Sequence, residues 1–191
     1  MAMTTHFLRL FSIVCTISLL MSSCGYEQGH GPLLEKYSSI SVPYIEGDTE
    51  GRLTAELIRQ LSSSGAFTYK NDEGELVLKV KMLDTYDQNI GYQFARDENN
   101  QLLDSIVPTE GRMGSLVEVS VEESGSGKVL LGPKRISAEV DFDFDPDLAQ
   151  NNITAFSLGQ FNAVDSARDV AVRPLGKALA DNIVNYVNNS W

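Results

Sequence analysis

The residues best placed to do chemistry are Met21-Ser22-Ser23-Cys24, which close a short apolar run and have the form of a lipobox. Small side chains ahead of the cysteine suit a signal peptidase, and the cysteine left at the new N-terminus is the residue that takes the lipid. A lone basic residue, Arg9, precedes the apolar stretch 10–21, which fits the core of a secretory signal and is too short for a spanning helix. The expected chemistry is therefore lipidation of Cys24, and the expected consequence is a domain tethered to a membrane.

Other constellations resolve into plainer readings. Ser124-Gly125-Ser126-Gly127-Lys128 has the composition of a phosphate loop, but Val129 stands where the hydroxyl residue belongs and strand patterns flank it, so it reads as a hairpin turn. Asp141, Asp143, Asp145 and Asp147 suggest a calcium ligand set, yet Phe142 and Phe144 alternate with them as in a strand, and Pro146 replaces the glycine of a calcium loop. Carboxylates on one strand face lie roughly 7 Å apart, too far for one strand to wrap an ion. They read as a solvated acidic face, with Lys79 and Lys81 as candidate cross-strand partners. Glu122 and Glu123 are adjacent on a strand, face opposite sides and cannot converge as an acid and base.

Composition narrows the functions further. Cys15 and His6 fall in the signal, Cys24 carries the lipid and His30 lies in the Gly-rich stretch behind it, so the folded body holds no thiol or imidazole. No metal or cofactor is expected. Cleavage leaves 168 residues, enough for one domain with its own core. Loss of Arg9 lowers the basic residues from 15 to 14 against 26 acidic ones, taking the formal net charge from −11 to −12. That balance argues against nucleic-acid binding. The organisation expected is a signal over 1–23, a lipidated N-terminus and tether over 24–38, and a single domain over 39–191.

The elements that position these residues follow from periodicity. Residues 40–45 read as a short strand, with Pro43 marking an edge position or a strand end. From Asp48, a good N-cap, Leu53, Leu57, Ile58 and Leu61 fall on one helical face, and Gly65 supplies the stop. Alternation returns at Leu76, Leu78, Val80 and Met82, again at Ile90, Tyr92 and Phe94, and again at Val117, Val119 and Val121. The chain re-enters a strand at Val129 and continues through Ile136, Ala138, Val140, Phe142 and Phe144, with a bulge or bend at Gly132-Pro133. Residues 145–164 show almost no period and read as a long loop holding Phe156, Leu158 and Phe161. A final helix is expected over 165–188, with Val172, Leu175, Leu179, Ile183 and Val187 as its stripe and Pro174 as a kink or a starting point. The fold class is α+β: a two-layer sandwich with two helices packed on one face of a four- to five-stranded mixed or antiparallel sheet.

In this order and spacing, the chain resembles the lipopolysaccharide-assembly lipoprotein family, LptE. The resemblance is carried by Cys24-Gly25-Tyr26, by residues 40–45 with the helix through Leu61, by the block from Glu110-Gly111-Arg112 to Pro146, and by residues 175–187. It implies a non-enzymatic, lipid-anchored protein of the outer membrane, facing the periplasm, that partners and plugs the β-barrel translocon LptD and serves delivery of lipopolysaccharide. It also implies lipopolysaccharide contacts through basic residues, for which Arg112, Lys128, Lys134 and Arg135 are the candidates here. Phe156, Leu158 and Phe161 are candidate barrel contacts, set against the alternative that they fold onto the domain's own core. The four basic residues have a plainer reading as sheet-edge charge that discourages aggregation. A rival function is a periplasmic pilot or binding lipoprotein serving a different outer-membrane channel; a small hydrolase would require a pocket of convergent polar groups.

Overall fold

A computed structural model describes residues 32–96, 99, 101–144 and 158–189. A short helix, α1 (Pro32–Lys36), leads into β1 (Ser39–Ser41). Helix α2 (Arg52–Ser64) and β2 (Thr68–Tyr69) follow, then three long strands, β3 (Leu76–Arg96), β4 (Leu102–Glu123) and β5 (Val129–Asp143), and finally α3 (Leu158–Asn189). The five strands form one mixed sheet in the order β2-β1-β3-β4-β5, with β1 parallel to both its neighbours and the β3–β4 and β4–β5 pairs antiparallel.

The alternating residues face as their period dictates. Leu76, Leu78, Val117, Val119 and Val121 are fully buried beneath Leu57 and Leu61 of α2 and Leu179, Ile183 and Val187 of α3. Both helices thus cover one face of the sheet, as expected for the two-layer class. On the other face Lys79 pairs with Glu122 at 2.6 Å and Lys81 with Glu46 at 2.6 Å.

Four details differ from the expectations or sharpen them. Strand β1 is shorter than 40–45 and lies inside the sheet; Pro43, with no N–H to give, comes after its end rather than on an edge. Helix α2 begins at Arg52, and its N-terminal neighbour Gly51, at φ 69°, offers no capping side chain. Asp48 supplies the cap from further back, its Oδ2 accepting from the Thr54 amide and the Thr54 hydroxyl, each at 2.7 Å. Helix α3 starts at Leu158, so part of the expected loop is helical, and Pro174 lies within it. The bulge at Gly132-Pro133 is present: Leu131 and Lys134 pair with Val121 and Val119, leaving one extra residue in β5, with Gly132 at φ 82° and a cis bond to Pro133.

The β3–β4 hairpin is the fold's unusual element. At about 3.3 Å per residue, strands of 21 and 22 residues reach about 70 Å. Strand β5 accompanies β4 only to the Glu110–Asp143 pair. Beyond it, among the described residues, β3 and β4 run on as a two-stranded ribbon.

Candidate functional site

The four basic candidates occupy three different settings. Arg112 pairs across strands with Asp141 and grips its carboxylate as a fork, Nε to Oδ1 at 2.6 Å and Nη2 to Oδ2 at 2.9 Å. Glu139 lies 3.5 Å from the same guanidinium. The hydrogen bonds from Arg112 hold the Asp141 carboxyl below the usual carboxylate range. Two carboxylates thus occupy Arg112, leaving it little charge for an outside anion. This also corrects the expected pairing of the acidic strand with Lys79 and Lys81: β4 separates β3 from β5, so Arg112 is the cation within reach of Asp141.

Lys128 sits in the turn between β4 and β5, where the Glu123 amide donates to its carbonyl at 2.9 Å. The glycine-rich segment is the hairpin turn its composition predicts, closed by the Ser126 hydroxyl donating to Glu123 at 2.6 Å. Tyr37 donates to the same carboxylate at 2.7 Å, and these bonds lower the Glu123 pKa.

Lys134 and Arg135 come together with amide side chains. They line an open groove of about 790 Å³ between β5 and the C-terminal part of α3, with Asn182, Asn185, Tyr186 and Asn189 opposite. Adjacent strand residues face opposite sides: Lys134, opposite Val119, places its Nζ 4.7 Å from the centre of the Tyr186 ring, and Arg135 stands opposite Glu118. Asn182 ties the helix to the strand by donating to the Ser137 carbonyl at 3.1 Å. Lys134, flanked by carboxamides and an aromatic ring with Arg135 at the groove's rim, suits an anionic, hydroxyl-rich ligand. The sequence named the two cations; the amides lie 47 or more residues away on the last helix and only the packing of α3 beside β5 brings them near.

A second cavity, of about 260 Å³, opens between the start of α2, α3 and the sheet, over Met82, Met113, Leu175 and Leu179. Among its polar groups, the Ser115 hydroxyl donates to the Asp84 carbonyl at 3.2 Å and the Asp48 carboxylate serves Thr54. Both of these groups are committed to hydrogen bonds within the fold. Among the described residues no cluster of metal-ligating side chains occurs. Asp145, Asp147 and Phe156 lie outside the described residues, as does Cys24; Leu158 and Phe161 are placed in the first turns of α3 by their backbone alone.

Comparison with known proteins turns this geometry into kinship. The family model LptE, described as lipopolysaccharide-assembly, matches residues 37–187, from the buried Tyr37 ahead of β1 to the buried Val187 near the end of α3. The chain belongs to the LptE family. Solved structures similar to it include a minor lipoprotein from Acinetobacter baumannii, 14% identical over 79% of this chain and 92% of that one, with a TM-score of 0.46. A lipoprotein B from Nitrosomonas europaea is 10% identical over 80% and 83%, with a TM-score of 0.47. The rare lipoprotein B from Shewanella oneidensis is 16% identical over 78% and 93%, with a TM-score of 0.43. No curated protein matches the chain. The LptE assignment rests on the family model, which spans every strand and both long helices up to the final turn.

Proposed function

We propose that this LptE-family chain is an outer-membrane lipoprotein, anchored through Cys24 on the periplasmic face, that partners the β-barrel LptD and plugs it during lipopolysaccharide delivery. The observation that carries the reading is the family match over residues 37–187. The lipobox ahead of it supports the anchor, because a lipid tether confines the domain to the membrane and raises its effective concentration beside a barrel.

The architecture suits a part that works by shape. A sheet backed by two helices over one continuous buried core is stiff, as close-packed protein interiors are. The helix-free face is crossed by ion pairs, which keep it wet and contribute little to stability individually. No bond is made or broken in this role. Lipopolysaccharide, an anionic glycolipid, would meet the chain at the Lys134–Arg135 groove rather than at Arg112, whose charge Asp141 and Glu139 already hold. Lys128 would add a peripheral contact. Phe156, Leu158 and Phe161 remain the proposed barrel contacts.

Affinity capture of the full-length chain from detergent-solubilised membranes tests the reading. Recovery of the lipopolysaccharide-export barrel, identified by mass spectrometry, is the expected result. Recovery of another channel, or of none, contradicts it.

A further inference from the structure

The projecting ribbon carries an apolar surface that the family reading leaves unexplained. On β3 Tyr92 and Phe94 are 59% and 55% exposed, and on β4 Leu102 and Ile106 are 61% and 62% exposed. Tyr92 lies opposite Pro108 and Phe94 opposite Ile106, so these side chains abut across one face of the ribbon, and Leu102 lies further along it, opposite Arg96. Leu103 and Ile90 extend the exposed apolar surface. A two-stranded hairpin is at best marginally stable alone in water, and contiguous exposed apolar surface of this kind marks a contact site.

Two observations choose the occupant. Between Leu102 and Pro108, β4 has only β3 beside it, and over Tyr92–Arg96 β3 has only β4, among the described residues. The outer edges of the ribbon therefore carry backbone donors and acceptors that no strand among the described residues satisfies, and such edges do not enter hydrocarbon. A bilayer or a bundle of acyl chains is ruled out on that ground. Charge argues the same way. Between Lys81 and Arg112 the sequence holds six acidic residues and a single basic one, Arg96, which already has a partner within the chain. An anionic glycolipid would be repelled. What fits is a protein wall that offers an apolar patch bordered by basic side chains and polar groups able to meet the ribbon's edges.

We propose that the projecting end of the β3–β4 ribbon is the chain's principal docking surface for such a protein partner. The inference rests on the reading above, in which that partner is the barrel, and assigns the contact to Tyr92, Phe94, Leu102 and Ile106.

The test uses the full-length chain in its own membranes. One form carries Phe94→Ser with Ile106→Ser; a second carries a photoreactive amino acid at Phe94 alone. The barrel recovered with each is quantified by mass spectrometry after mild solubilisation. The photoreactive form is expected to cross-link to the barrel, and the double variant, with its melting temperature unchanged, to recover about tenfold less barrel or lower still, the loss expected when two anchoring side chains are cut back. Equal recovery by the double variant overturns the inference while leaving the barrel reading intact. Cross-linking to lipopolysaccharide, to a second copy or within the chain also overturns it. A wild-type chain that recovers no barrel overturns both.

Discussion

The carboxylate of Asp48 stands three residues before Gly51 yet caps α2 by accepting from both the amide and the hydroxyl of Thr54 at 2.7 Å. The relationship is buried, and Thr54 in turn accepts from the Ile45 amide at 3.3 Å, joining the chain after β1 to the helix. Asp48→Ala leaves a buried amide and hydroxyl without an acceptor. It is expected to cost about 1–2 kcal/mol, read as a lower urea midpoint at unchanged slope.

At Gly132 a side chain meets two obstacles at once. The backbone lies at φ 82°, and a Cβ would run into the Val119 carbonyl oxygen, which is main chain and cannot swing away. Gly132→Ala is expected to destabilise the protein by about 3 kcal/mol, combining left-handed strain with overpacking. Gly125→Ala, in the turn where nothing lies within 4 Å, serves as the control and should leave the melting temperature nearly unchanged.

Acid should loosen the start of the sheet. The Glu75 carboxylate accepts from the Ser38 amide at 2.6 Å, the Ser38 hydroxyl at 3.0 Å and the Ser39 amide at 3.2 Å, and these bonds, the Ser38 amide's foremost, lower its pKa. A carboxyl with a folded pKa below its unfolded value of about 4.3 stabilises the fold above that value and loses its contribution as pH falls through the folded one. Asp141 and Glu123 act with the same sign. Unfolding midpoints measured from pH 6 to pH 2 should decline at the acid end, and Glu75→Gln should flatten part of that decline. A parallel profile in the variant would contradict the assignment.

The layers of the fold were legible because burial repeats every second residue in β3, β4 and β5 and on one helical face in α2 and α3. Leu57 and Leu61, or Val117, Val119 and Val121, need no tertiary information to be placed. The ribbon was half legible. Ile90, Tyr92 and Phe94 alternate visibly, but residues 102–109, Leu-Leu-Asp-Ser-Ile-Val-Pro-Thr, mix adjacent apolar residues with a proline and carry no clean period, and residues 102–106 are exposed at every position. The start of α3 was missed although Ser157 and Gln160 stand at capping-box spacing in the sequence, because Gly159 and Asn162 interrupt the apolar pattern around Leu158 and Phe161. The groove could be read only in part, since Lys134 and Arg135 are visible in sequence whereas Asn182 and Asn185 join them only through packing.

The basic residues can be separated by purifying the mature chain and measuring lipopolysaccharide retention at low and moderate salt. Lys134→Glu with Arg135→Glu should reduce retention by about tenfold or more, since two favourable charges become repulsive. Arg112→Ala should change it by less than about twofold, because its fork to Asp141 is already closed. A larger loss from Arg112→Ala would place the contact at the other end of β5.

The role itself is tested most directly by depleting the chain in its own bacterium and measuring how much newly made lipopolysaccharide reaches the cell surface. Surface lipopolysaccharide is expected to fall while the same lipid accumulates behind the outer membrane, and restoring the wild-type chain, but not Cys24→Ala, should recover export. Unchanged delivery after depletion would contradict the account.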